Sequence, residues 1–242
     1  VLQPVKTAFG QYMAGFYSSL IPTTKPLNEF VARGLDKSIV WAPARMVDAV
    51  EDMIATWQKN DPDGTPTQPP KIPVIIVAMA EDYIPTMRDY TRQVSEQPYL
   101  IIPDDTKERA FKVQVVAGDI RTQVVFAAHD EPTAKALVSQ FCLYIDNIEN
   151  RRFCSYCSFA GMDSLEWPVQ IESADVPAMS IKTDVKNMTV LACDVTLKAS
   201  IPLFKAPVVG EPNDGKGTPG DPLDPAGYPL VEQVNFIEED VI

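Results

Sequence analysis

Cys154 and Cys157 form a Cys-x-x-Cys pair, and Cys142 and Cys193 bring the thiols to four. Four thiolates are the number a structural zinc requires, so this is the first chemistry to weigh. The spacing argues against it, because the one Cys-x-x-Cys pair has no second pair to match it. Cys142 falls beside the apolar stripe of a helical segment, and Cys193 on the apolar side of an alternating run. Both suit small core residues. A thioredoxin-like redox pair needs a βαβ setting, which the flanking sequence does not supply. A disulfide between Cys154 and Cys157 in a mature extracellular particle stays open.

His129 is the only histidine, and it stands beside Asp130 and Glu131. A general base needs a positioned nucleophile, and the chain carries neither GxSxG nor HExxH. Gly210-Glu211-Pro212-Asn213-Asp214-Gly215-Lys216-Gly217 has the outline of a phosphate-binding loop. The residue after Lys216 should be Ser or Thr to reach magnesium, but it is Gly217, and Pro219 blocks the helix that should follow. Asp61-Pro62-Asp63-Gly64 outlines a calcium loop, yet Lys59 and Pro70 stand where an acid and a glutamate are required. Lys107, Arg109, Arg121, Arg151 and Arg152 are dispersed and suit a solvated face; contact of Arg151-Arg152 with an acidic neighbouring subunit is the alternative. No residue is therefore assigned a catalytic, cofactor-binding or metal-binding role, and no cofactor is expected.

The elements tell more. Leu191, Cys193, Val195, Leu197, Ala199, Ile201 and Leu203 occupy every second position, which predicts a long strand with one buried face. Val5, Phe9, Tyr12, Met13, Phe16, Tyr17 and Leu20 fit one face of a helix, weakened by Gly10 and Gly15. Pro22 and Pro26 then predict a loop. A short strand is expected over Ile39–Ala42. Pro43 can open a helix carrying Met46, Val50, Met53, Ile54 and Trp57, followed by a turn-rich loop from Asn60 to Pro70. Ile72–Ala80 reads as a buried strand and Tyr99–Ile102 as another. Phe111–Ala117 and Ile120–Ala128 alternate around Gly118-Asp119, which predicts a hairpin with a II′ turn. Residues 131 to 148 make the clearest helix, with Asp130 or Glu131 at its start, Pro132 in its first turn, and Leu137, Phe141, Tyr144, Ile145 and Ile148 on one side. Residues 149 to 175 read as a long excursion. Ala178–Thr183 and Leu191–Leu203 form a second predicted hairpin. The expected fold class is α+β, a mainly antiparallel sheet with packed amphipathic helices, over residues 1–205. A Pro- and Gly-rich C-terminal arm covers 206–242.

Composition narrows the partners. The chain has 242 residues, 45% of them hydrophobic, enough for one sizeable core or two small ones. The formal charge of −12 repels phosphates and anionic membranes, so neither is an expected ligand, although DNA could pass such a surface without sticking. The longest apolar stretch, Ile72–Ala80, falls far short of the ~20 residues a spanning helix needs. No secretion signal is expected at the start of the sequence as given.

The order of elements resembles the tail terminator or tail sheath stabiliser proteins of contractile-tailed bacteriophages. The resemblance is carried by Ser38-Ile39-Val40-Trp41-Ala42-Pro43 leading into a helix, by Lys71-Ile72-Pro73-Val74-Ile75-Ile76, by Thr122-Gln123-Val124-Val125-Phe126 before the 131–148 helix, and by Ile201-Pro202-Leu203-Phe204-Lys205-Ala206-Pro207. It covers roughly residues 10 to 206. The stretch around 153–157 and the long arm have no counterpart in that pattern. The resemblance implies a virion structural protein without enzymatic activity. It would form a ring, commonly a hexamer, that caps tail tube and sheath and joins tail to neck, with DNA only passing through the channel. It would sit at the tail–neck junction of the virion after assembly in the host cytoplasm. A head–tail connector would share acidity and ring assembly but carry more helix. A small cytosolic enzyme or ligand-binding domain would instead need a pocket with converging polar groups.

Overall fold

The computed structural model describes residues 2–42, 72–82, 84–85, 99–101, 105–107, 110–182, 187–205, 217–218, 221 and 223–224. The predicted helix after Pro43, the Asn60–Pro70 loop, Asp61–Gly64 and most of the 206–242 arm lie outside them.

Helix α1 (Gln3–Ser19) buries Val5, Ala8, Phe9, Tyr12, Met13 and Phe16, the face that the spacing predicts. Gly15 has a packing reason. A Cβ there would stand 2.8 Å from the Tyr144 hydroxyl, so only glycine permits this approach. At Gly10 the same atom would meet Trp41 at an ordinary 3.6 Å.

The loop expected at Pro22 and Pro26 is in part a helix, α2 (Lys25–Ala32). Pro26 lies in its first turn, where a missing N–H costs little. The Thr24 hydroxyl accepts from the Leu27 N–H at 3.3 Å and caps the start. Burial of Leu27 and Phe30 then outweighs the brevity of the segment.

The strands are β1 (Ile39–Trp41), β2 (Val74–Met79), β3 (Ile84–Pro85), β4 (Tyr99–Ile101), β5 (Ala110–Ala128), β6 (Arg152–Phe159), β7 (Met162–Ile171), β8 (Ala178–Ile181) and β9 (Thr189–Lys205). Helix α3 (Glu131–Asp146) separates β5 from β6. The strand order is β1-β2-β5-β9-β7-β6, with β3 and β4 also on β5 and β8 also on β9. β1 and β2 run parallel; β2, β3 and β4 meet β5 antiparallel, and β7 and β8 meet β9 antiparallel. This is an α+β fold with a mainly antiparallel sheet.

Two expectations about connections fail. Gly118-Asp119 is not a turn: β5 runs unbroken for 19 residues. Gly118 pairs with Pro85 and Asp119 with Ile84, so β3 holds both residues extended. The flanking runs pair with β4 and β2 rather than with each other. The excursion predicted over 149–175 contains a hairpin, β6 and β7. Its two turn residues, Ala160 (φ 54°) and Gly161 (φ 80°), are both left-handed, the requirement of a type I′ turn. Pro168 disguises β7, since proline argues against a strand; it sits just before the ladder to β9, which spans Val169–Ile171.

The chain divides into two compact units: Val1–Thr86, Ala117–Ser155 and Glu166–Ser200 in the first, and Met87–Val116, Tyr156–Leu165 and Ile201–Ile242 in the second. In the first, α1, α2 and α3 share a core with Ile75, Val77, Val124, Phe126, Val195 and Leu197. Phe141 of α3 lies edge-on to Phe16 at 5.1 Å and beside Phe126 at 5.4 Å. A second apolar cluster takes the alternate side chains, among them Val74, Ile76, Val125, Ala127, Val190 and Ala192. Alternation by twos therefore gives two apolar faces, and β2 is buried at every residue. The predicted inner face of β9 is buried from Leu191 to Ala199.

The second unit has a smaller core of Phe111, Phe159, Ala160, Leu165 and Phe204. Here β9 departs from prediction. Leu203 is exposed, and Phe204 stacks on Phe159 at 4.1 Å. Residues of the arm also belong here. Lys107 donates to both carboxylate oxygens of Asp224 at 2.6 and 2.7 Å, and Thr218 donates its hydroxyl to the same group.

Candidate functional site

The cysteine pair is settled by strand geometry. Cys154 and Cys157 both lie on β6, three residues apart, so their side chains leave opposite faces. Three strand residues span about 10 Å, beyond the ~7 Å that a disulfide bridges between Cα atoms. The pair can neither chelate one ion together nor close on itself. The Cys157 thiol instead donates to the Leu165 carbonyl, and burial pushes it up from its ordinary value. Cys142 of α3 and Cys193 of β9 both belong to the core of the first unit, where the Cys142 thiol donates to the Val176 carbonyl at 3.5 Å. Among the described residues no three His, Cys, Asp or Glu side chains gather in one place.

His129 is exposed at the end of β5. Its neighbours are committed to the helix: the Asp130 carboxylate accepts from the Thr133 N–H at 2.9 Å, and Glu131 pairs with Lys135. That hydrogen bond holds the Glu131 carboxyl below the usual range. The Gly210–Gly217 loop lies outside the described residues except for Gly217.

Charged side chains between β5 and β9 form cross-strand pairs. Asp194 accepts from Arg121 at 3.3 Å and from Gln123 at 3.1 Å. Lys198 meets Glu172 at 2.7 Å and Asp119 at 3.4 Å, and the Glu172 hydrogen bond is the main cause that raises its pKa. Arg33 is spent on structure. It donates to the Ser38 hydroxyl and the Pro73 carbonyl and lies over the Phe30 ring, and burial lowers its pKa.

The surface feature that stands out is apolar. Ile21 and Leu143 are 68% and 69% exposed. Their positions are fixed. The Ile21 N–H donates to Gln140 Oε1 at 2.7 Å, and Gln140 Nε2 donates back to the Ile21 carbonyl at 3.0 Å. Leu143 lies three residues beyond Gln140 on the same helix, hence on the same side. Two large aliphatic side chains are thus exposed beside the Ile21–Gln140 hydrogen bonds and on α3. Ile148, predicted to lie on the buried stripe, falls past the end of α3 and is also exposed. The sequence held a signal for Leu143, an aliphatic residue standing off its helix's stripe. For Ile21 it held none, because the reciprocal hydrogen bonds to Gln140 span 119 positions. A second exposed element is β8, where Ala178, Met179 and Ser180 all face solvent.

No helix among the described residues is long and apolar enough to cross a membrane. Compared with known protein families and with curated proteins, the chain finds no match.

Proposed function

We propose that this chain is a virion structural protein, a tail terminator or sheath stabiliser whose copies form a ring over the tail tube and join it to the neck. The observation that carries the reading is the Ile21–Leu143 pair. Covering these two side chains with a partner surface would take their apolar area out of water. At about 25 cal/mol per Å² of apolar area, side chains of this size contribute roughly 1.5–3 kcal/mol each once covered. Copies carrying −12 repel one another, so apolar contacts must supply the attraction and the charge sets a dependence on salt. The same negative surface suits a channel through which DNA slides without binding. The element order described above supports the terminator over the connector, because the strand share is large.

The test is electron microscopy of the purified protein mixed with tail tubes of the phage that encodes it. Rings on tube ends support the reading. Tubes that stay bare at saturating protein, while growing past their normal length, overturn it.

A further inference from the structure

Arg151 and Arg152 are two adjacent cations to which the ring reading gives no task. Of the four arginines among the described residues, Arg33 donates to Ser38 and Pro73, and Arg121 donates to Asp194. The other two make no ion pair and no side-chain hydrogen bond. Arg152 is exposed at the start of β6. Arg151 is half-buried, and its Nε is out of solvent with no acceptor. A charged donor left unanswered there is unfavourable, which points to an acceptor that arrives from elsewhere. The backbone around the pair is well tied. The Asn147 side chain accepts from the Glu149 N–H at 3.1 Å, and the Asn150 side chain donates to the Tyr144 carbonyl at 3.0 Å. The Arg151 carbonyl accepts from the Ile171 N–H at 2.9 Å. Ile148 is 65% exposed in the same turn.

We propose that this turn is the docking site for the acidic segment Glu238-Glu239-Asp240 of a second copy of the chain. The match lies in charge and in order. The turn is aliphatic and then doubly basic, with Ile148 before Arg151-Arg152. The segment is apolar and then triply acidic, with Phe236-Ile237 before Glu238-Glu239-Asp240. Two adjacent carboxylates can meet two adjacent guanidiniums one to one. Each such pair is a charge-assisted hydrogen bond, and arginine can hold a carboxylate through two nitrogens at once. The chain has the reach. Asp224 is held by Lys107 and Thr218, and Glu238 follows 14 residues later. At about 3.3–3.6 Å per residue the intervening chain extends to roughly 45–50 Å, enough to cross to a neighbouring protomer. A contact from the segment of one copy to the turn of the next is heterologous, the kind that closes rings. It rests on the ring reading only in that copies of the chain meet, and it is testable without a tail tube.

The experiment is sedimentation velocity of the full chain over a range of concentrations at one low ionic strength. Wild type is compared with an Arg151→Glu, Arg152→Glu variant, a Glu238→Arg, Glu239→Arg variant, and the two combined. Each reversal moves the charge by two, so the first variant carries −16, the second −8, and the combination −12 like wild type. General repulsion makes the −8 variant associate more readily than wild type. Docking gives the opposite order: both double variants associate about tenfold or more weakly, and the combined variant regains wild-type association. Circular dichroism checks each fold. Should the Arg151 change disturb it, Arg152→Glu, on an exposed side chain, and the Glu238→Arg, Glu239→Arg variant carry the comparison. Wild type that stays monomeric throughout, with the segment on its own chain or kept for a different protein, overturns the contact. So does a −8 variant that associates as well as wild type, or a folded combined variant that stays dissociated. Rings on tail tubes alongside any of these results remove this contact and leave the ring reading standing.

Discussion

Replacing Phe141 with alanine and replacing Leu143 with alanine test the packing of α3 from both sides. The residues are two positions apart on one helix. Phe141 has no exposed surface and sits within 5.1 Å of the Phe16 ring and 5.4 Å of the Phe126 ring. A buried Phe→Ala change costs about 3–5 kcal/mol, from lost burial plus the cavity left behind. Against a total stability of about 5–15 kcal/mol this is a large share. At ~1.4 kcal/mol per tenfold, it lowers the folding equilibrium by roughly two to three and a half powers of ten. Leu143 is mostly solvated, so its truncation removes few contacts and stays within about 0.5 kcal/mol. The assay is urea unfolding followed by far-UV circular dichroism, comparing midpoints of the three proteins. Phe141→Ala should shift the midpoint strongly downward and Leu143→Ala hardly at all. Equal losses in the two variants would mean that the buried face of α3 has been misassigned.

Other predictions follow from single contacts. Gly10→Ala should stabilise the protein by up to about 1 kcal/mol through helix propensity, whereas Gly15→Ala should not, because its methyl meets the Tyr144 hydroxyl; thermal melting separates them. Lys198 has its pKa raised by Glu172 and Asp119, so its contribution is complete below the ordinary lysine value near 10.5 and fades as pH climbs through the raised value. Wild type should therefore lose stability faster than Lys198→Met across that alkaline window, and parallel curves would contradict the pairing. Asp130→Ala should cost about 1 kcal/mol by removing the cap on α3, read from the same melts.

Much of the fold is legible in the sequence because periodicity is a local property. Alternation from Leu191 to Ala199 gives β9, the three-and-four spacing from Val5 to Phe16 gives α1, and Asp130 with Pro132 marks the start of α3. What escapes is pairing at a distance. Gly118-Asp119 carries turn residues, but β3 and Lys198 come from elsewhere in the chain to hold them extended. Pro26 reads as a breaker until Thr24 is seen to cap the helix it opens. The β6–β7 hairpin is hidden by Pro168 and by a turn whose first residue is alanine, an uncommon left-handed residue. The site follows the same rule. Strand spacing decides the fate of Cys154 and Cys157, and that needed only the assignment of β6. The Ile21–Leu143 display depends on Gln140 reaching across 119 positions, which no window of sequence contains.

Cosedimentation of tail tubes with wild-type protein and with an Ile21→Glu, Leu143→Glu double variant weighs self-assembly on the tube most directly. Both substituted side chains are exposed in the monomer, so the variant should keep the wild-type circular dichroism spectrum. Wild type should pellet with the tubes in a fixed number of copies per end while the variant stays in the supernatant. A folded variant that pellets as fully as wild type would contradict the assignment of this surface to the ring.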